Sequence, residues 1–368
     1  MFGVIKRNPC LPLAELRKLI AGKRSIEWDS EGSAYSYSGY SRFALRNILS
    51  LLAFPRGSRI LLPAYICDVV LLPFAELGLE PAFYRITDDF QVDLSSLVVA
   101  PNTSAILTVN YFGMSIDFPA VDAFAQKHGL VWINDNAHGY ASVHGTMPLD
   151  EFGDFSITSF RKVLPTINGA RARINRPSYK HLIPHLDLLN NSGPREHAMA
   201  RFLLVTLLGA MKYRPWKHPD YTDITAFSEP DIMPQHLDRL SAHVLMTTDD
   251  RLVRERRHAL YGQVEKFLGT GKYPFIKVID GLMNNGNSPM LFPIIVPDQE
   301  RWRSILETSR SQGIDIHTWP SMPRDVIRDN IFGSVDRWKT LLCLPIHQDL
   351  DGDEYCASLK KVFDASDK

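Results

Sequence analysis

The chain has 368 residues, 45% of them hydrophobic, so it can bury a large core and is by size better read as two domains than one. Lys+Arg and Asp+Glu number 41 each, which leaves no basic field for a polyanionic backbone and excludes nucleic acid as an expected partner. The opening MFGVIKRNPCLPLAELRKL is too charged for a signal peptide, and no stretch offers about 18 uncharged apolar residues to cross a membrane. Cys10, Cys67, Cys343 and Cys356 lie far apart without CxxC spacing, so a cytoplasmic protein without a disulfide framework is expected.

In chain order, the Gly- and Tyr-rich EGSAYSYSGYSR feeds FALRNILSLLAF, whose apolar residues recur at helical spacing up to Pro55-Arg56-Gly57. Short apolar runs and helical patterns then alternate through RILLPAY, VVLLPFAELG, EPAFYRI, SAILTVNYFG, DFPAVDAFAQKHG, LVWINDNAHG and DFSITSF. Such alternation predicts a mainly parallel sheet covered by helices on both faces. After a less regular stretch, LDRLSAHVLMTTDDRLVRERRHALYGQVEKFL reads as one long connecting helix. Beyond Gly269, the segments MLFPIIV, DIHTW and LLCLPIH read as strands interleaved with two amphipathic helices. The expected division is therefore a large α/β domain over 1–240 and a smaller α+β domain over 241–368.

In open α/β sheets ligands bind at the carboxyl ends of strands, so polar residues that end an apolar run come first. Asp135 ends LVWIND, with His138 three residues on, and a carboxylate there needs a cation or strong donor to stay charged. The alternative is a helix-capping Asp135 and a satisfied core His138. In GDFSITSFRKVLPTINGA a strand ends at Ser159, and Lys162 follows in a loop that closes at Gly169. An amine there becomes nucleophilic if burial or Arg161 lowers its pKa, although most lysines are solvated surface groups. Gly39 and Ser41 precede the first helical pattern, where backbone N–H groups and the helix dipole favour a phosphate; ordinary capping by Ser41 explains the same residues. GxGxxG after the first strand, GxxxxGK[ST], GxSxG, HExxH and metal-ligand spacing are all missing from the sequence.

Together these segments resemble the DegT/DnrJ/StrS family of pyridoxal-phosphate (PLP) sugar aminotransferases. The likeness runs from SGYSRFAL through ILLPAYICDVV, TVNYFGMSIDFPAVDAFAQKHGL, INDNAHG and GDFSITSF to LCLPIHQDL. It implies fold type I, the aspartate-aminotransferase architecture. By resemblance Asp135 pairs with the cofactor's ring nitrogen, His138 lies against the cofactor, and Lys162 is the internal Schiff-base lysine. Ser159 and the Gly39-to-Arg42 turn, with Ser41 and Arg42, hold the phosphate. Tyr65 or Cys67 falls where an aromatic ring stacks on the cofactor, and only Tyr65 has a ring. The chain departs from the family in three places: a shortened Ser-Phe-to-lysine spacing, Gly169-Ala170 for Gly-Gly, and Asn110-Tyr111 for His-Tyr.

The resemblance further implies transfer of an amino group from an amino acid, typically glutamate, to a keto-sugar that is usually nucleotide-linked, in surface polysaccharide or antibiotic sugar synthesis. Rival expectations are a same-fold PLP enzyme with another reaction, such as a dehydratase, and a non-catalytic paralogue. A homodimer is expected, with residues 202–216 and 221–237 as the candidate interface; a buried helix of the subunit itself explains the same apolar stretch equally well.

Overall fold

Residues 5–6, 8–11, 34–190, 221–225, 234–319 and 321–367 are described in a computed structural model of the chain. Strand β1 (Tyr35–Ser38) runs into α1 (Ser41–Leu52), and β2 (Arg59–Pro63), α2 (Leu72–Leu77) and β3 (Glu80–Tyr84) follow. Then come β4 (Thr103–Val109), α3 (Phe118–His128), β5 (Val131–Asn136) and the short hairpin β6 (Val143–His144) and β7 (Met147–Pro148). Strands β8 (Phe155–Ser159) and β9 (Ala170–Ile174) precede α4 (Ile183–Asn190).

Seven of these strands form one sheet in the order β1-β9-β8-β5-β4-β2-β3, and β6 and β7 pair only with each other. All neighbours from β8 to β3 are parallel, while β9 runs antiparallel to both β8 and β1. Strands β5 and β8 are buried at every residue, as central strands of a sheet covered on both faces are. On α1, Ala44, Leu45, Ile48 and Leu49 fall on one stripe and are buried. Helix α3 starts where the Asp117 carboxylate accepts from the Ala120 N–H at 3.0 Å. It stops at Gly129, whose φ of 65° lies in the left-handed region that glycine enters without strain.

The C-terminal part begins with α5 (Arg239–Thr247) and α6 (Asp250–Leu268). It continues through β10 (Lys277–Val278), β11 (Leu291–Ile295), α7 (Gln299–Ser311), α8 (Arg324–Asp329), α9 (Ser334–Thr340), β12 (Leu341–Pro345) and α10 (Gly352–Ser366). Its sheet is antiparallel in the order β10-β11-β12. The expected division near residue 240 falls at the start of α5, and the strands on either side of it belong to separate sheets.

Three expectations are corrected. The single long helix is two, because Thr248 is extended (φ −78°, ψ 132°) and the Asp249 carboxylate starts α6 by accepting from Leu252 N–H at 3.1 Å. The Thr247 and Thr248 hydroxyls bond back to the His243 and Val244 carbonyls, which ends α5 locally. DIHTW is no strand; His317 meets Cys343 in an isolated bridge. Besides the two amphipathic helices expected, α7 and α10, the short helices α8 and α9 are present. Among the described residues no helix is long and apolar enough to cross a membrane, and no cluster of three or more His, Cys, Asp or Glu side chains could hold a metal ion.

Candidate active site

A cleft of about 620 Å³, its open mouth included, lies at the carboxyl ends of the parallel strands, where β4, β5 and β8 contribute Val109, Asp135 and Ile157. The start of α1 supplies Tyr40, Ser41, Arg42 and Leu45, and the loop after β2 supplies Ile66 and Cys67. Arg161 and Lys162 come from the loop after β8, and Trp319 closes one side from the C-terminal part.

Alternation along β5 sends Asp135 into the cleft and its neighbours to the other face. There the Asn110 amide donates to the side-chain oxygens of Asn134 at 3.0 Å and Asn136 at 2.9 Å, and Asn134 donates to the Leu149 carbonyl at 2.7 Å. Asp135 is buried, and its Oδ1 accepts from Ala137 N–H at 2.9 Å. No helix follows β5, so this bond closes a turn and the helix-cap alternative does not hold. The turn needs Gly139, because a Cβ there would sit 2.0 Å from the Asn136 Oδ1. Burial raises the Asp135 carboxyl above the ordinary range, and the nearby Lys162 charge and the Ala137 N–H pull it partly back.

His138 Nδ1 accepts from the Phe112 N–H at 3.2 Å, so the ring is neutral with its proton on Nε2. Burial, with the Lys162 charge added, holds its pKa well below the ordinary histidine value, in agreement with that bond. Its ring lies 5.5 Å from Trp319 and 6.4 Å, stacked, from Phe112.

Two loops far apart in sequence are sewn together beside Asp135. Gly169 N–H donates to the Gly39 carbonyl at 2.6 Å, and Phe160 N–H to the Gly169 carbonyl at 3.0 Å. This brings the start of α1 against the Lys162 loop. Lys162 lines the cleft, while Leu164, which stands at the usual family spacing from the Ser-Phe pair, is buried with Val163, Phe160 and Tyr140 in a separate apolar cluster. The N-terminus of α1 has no side-chain cap and no acidic residue in its first turn. Ser41 therefore does not cap it: Ser41 is the first helical residue. The Arg42 and Arg161 guanidiniums both lie over the Tyr40 ring, 5.6 and 5.1 Å from its centroid. Among the described residues, three cations, Arg42, Arg161 and Lys162, thus line the cleft with one carboxylate, that of Asp135.

Of the residues singled out in the sequence, Ser41, Arg42, Asp135, His138 and Lys162 line this cleft, whereas Ser159 and Tyr65 do not. Ser159 is buried at the end of β8, opposite Ala170. The Tyr65 ring is fully buried behind Trp319, 5.0 Å away, and Cys67 is the one of the pair that lines the cleft. Tyr65 and Cys67 both lie beyond the end of β2, so the course of the loop after the strand decides which of them reaches the cleft. Arg161, Cys67 and Trp319 escaped the sequence reading as site residues. Arg161 was visible beside Lys162, but nothing near Trp319 signals a site almost 160 residues away in sequence.

Solved structures with this architecture define the fold. Over 99% of this chain and 100% of the other, it superposes on Helicobacter pylori PseC, an aminotransferase involved in the biosynthesis of pseudoaminic acid, with a TM-score of 0.73 at 16% identity. The aminotransferase TlmJ from Streptoalloteichus hindustanus matches over 99% of each chain with a TM-score of 0.70 at 17% identity. The fold is that of the fold type I PLP-dependent aminotransferases.

Within that class, residues 43–169 match the model of the DegT/DnrJ/EryC1/StrS aminotransferase family, a stretch that holds Asp135, His138, Ser159 and Lys162. A UDP-N-acetyl-3-dehydro-alpha-D-glucosamine 3-aminotransferase of Acidithiobacillus ferrooxidans is 28% identical over 120 residues, 32% of each chain. A dTDP-4-amino-4,6-dideoxy-D-glucose transaminase of Shigella dysenteriae is 31% identical over 121 residues, again 32% of each. The matched stretch thus spans about a third of these relatives' length.

Proposed function

We propose that the protein is a PLP-dependent aminotransferase that moves an amino group from an amino acid, glutamate in the first instance, to a nucleotide-linked keto-sugar. The observation that carries this is the meeting of Asp135, Lys162 and the uncapped start of α1 in one cleft. The residues fit the group. A phosphate suits the helix N-terminus with Ser41, Arg42 and Arg161, and a protonated ring nitrogen supplies the cation that a buried Asp135 calls for. When bound, PLP would act as an electron sink for the donor's α-carbon.

Asp135 holds the ring nitrogen protonated. Lys162 would anchor the cofactor, and its amine would move the proton at the donor's α-carbon. Neutral His138, held by its Nδ1–Phe112 bond, would lie against the bound ring, and Ile66 and Cys67 form part of the cleft wall. Trp319 narrows the mouth and excludes water. The relatives' names support a nucleotide-sugar acceptor, since both of those described above act on one.

A single-turnover assay tests the reaction. PLP-loaded protein mixed with glutamate should release one equivalent of 2-oxo acid per site without an acceptor, because the two half-reactions share one site. Absence of 2-oxo acid with glutamate and with a panel of other amino acids would contradict transamination and leave the non-catalytic or dehydratase readings.

A further inference from the structure

Arg257, on α6, is fully buried, yet it lies outside the cleft. Its guanidinium is a four-way clasp. Nη2 donates to the Val163 carbonyl at 2.8 Å, Nη1 to the Pro289 and Ile346 carbonyls at 3.0 and 2.8 Å, and Nε to Gln348 Oε1 at 2.9 Å. The Gln348 amide returns to the same Val163 carbonyl at 3.4 Å. Val163 is the residue after Lys162, whereas Pro289, Ile346 and Gln348 belong to the C-terminal part. One side chain therefore ties the backbone next to Lys162 to the segments leading into β11 and out of β12.

Burying a guanidinium is costly unless its donors are satisfied, and here carbonyls from three segments and an amide oxygen satisfy them. Burial pushes the Arg257 pKa down to about 9, with Asp349 partly opposing, so it stays charged at neutral pH. Lysine cannot replace this fork, because one ammonium cannot span carbonyls set apart in this way. An interior side chain used only for packing would more simply be apolar.

We propose that Arg257 is the positioning residue of the Lys162 amine: it fixes the turn bearing Lys162 against the C-terminal part, so that the amine stays at the cleft wall. This rests on the reading of Lys162 as the anchor, and it adds a residue some ninety positions away that never touches the reacting atoms. Small displacements of a reacting group cost large factors in rate, so the clasp acts on attachment and turnover rather than on folding alone.

The test uses the full chain with Arg257→Gln, Arg257→Lys and Gln348→Ala, and it has three readouts. In cofactor-free protein, acetylation of Lys162 is measured by peptide mass spectrometry relative to exposed Lys127, below each variant's melting temperature; borohydride-fixed PLP on Lys162 and the melting temperature itself are the other two. Both Arg257 variants should raise the Lys162-to-Lys127 ratio and lower fixed PLP, each by about tenfold, and Gln348→Ala should move both the same way by about threefold. Lower melting temperatures with both quantities within twofold of the parent would reduce Arg257 to packing and overturn the proposal. Should neither Arg257 variant fold, Gln348→Ala decides by the same ratio, since Gln348 is only half-buried. A parent protein that fixes no PLP would overturn the anchor reading, while the labelling ratio still decides the clasp.

Discussion

Asp135 and His138 are two buried titratable groups whose environments act in opposite directions on stability. The Asp135 carboxyl is raised by burial, so in cofactor-free protein its contribution is greatest below the ordinary carboxylate range and is lost as pH rises through its folded pKa. His138 is lowered by burial, so its contribution is present above the ordinary histidine value and is lost as pH falls through its own folded pKa. Asp135→Asn keeps an oxygen for the Ala137 N–H and removes the charge. It should therefore stabilise the cofactor-free protein at neutral pH by on the order of 1 kcal/mol, an advantage that vanishes in acid. The same change should lower turnover by roughly 10² or more, since a neutral amide cannot hold the ring nitrogen protonated. Melting curves across pH and steady-state rates check the two halves; a variant less stable at neutral pH and still active within twofold would contradict both. The sequence singled out Asp135 as a polar residue ending an apolar run and Lys162 as an amine in the loop after Ser159, and their roles rested on the family resemblance rather than on those patterns. The fate of Tyr65 was not, because which of Tyr65 and Cys67 faces the cleft depends on how the loop after β2 leaves the sheet.

The elements easiest to read were those with a short apolar run or a clear helical period. Strands β2, β4, β5 and β8 and helices α1 and α3 follow from periodicity and from signals such as Asp117 and Gly129. The edge of the sheet was harder. β1 alternates Tyr with Ser and β9 alternates Ala with Arg, so neither carries an apolar run, and both exist through long-range pairing. Arg171 and Arg173 can occupy β9 because Asp150 and Glu151 pair with them, and this compensation is invisible in the strand's own sequence. The α5–α6 break turns on one extended residue, which helical periodicity alone misses. Asp249→Ala should cost about 1 kcal/mol by removing the α6 cap, read as a lower urea midpoint with unchanged slope. An unchanged midpoint would show that packing of Val253, Leu260 and Val264 sets where α6 begins.

For the whole molecule, segment order suggested a large α/β part followed by a small α+β part but not the antiparallel pairing of β10, β11 and β12, and the closing of the cleft by Trp319 required the fold. The candidate interface at 202–216, and residues 226–233 of the second segment, lie outside the described residues. We propose that the protein is a two-fold dimer, as closed symmetric pairs are the commonest soluble assemblies. Light scattering at micromolar concentration should give twice the 41.7 kDa chain mass, and a fully active monomer would contradict it.

The central claim is that Lys162 anchors PLP in this cleft. Purified protein incubated with PLP, scanned in the visible, reduced with borohydride and digested tests it most directly. The account predicts a yellow protein whose reduced cofactor maps to the peptide containing Lys162 and is lost in Lys162→Ala with the fold intact. A colourless protein, or reduced cofactor that persists in Lys162→Ala, would contradict it.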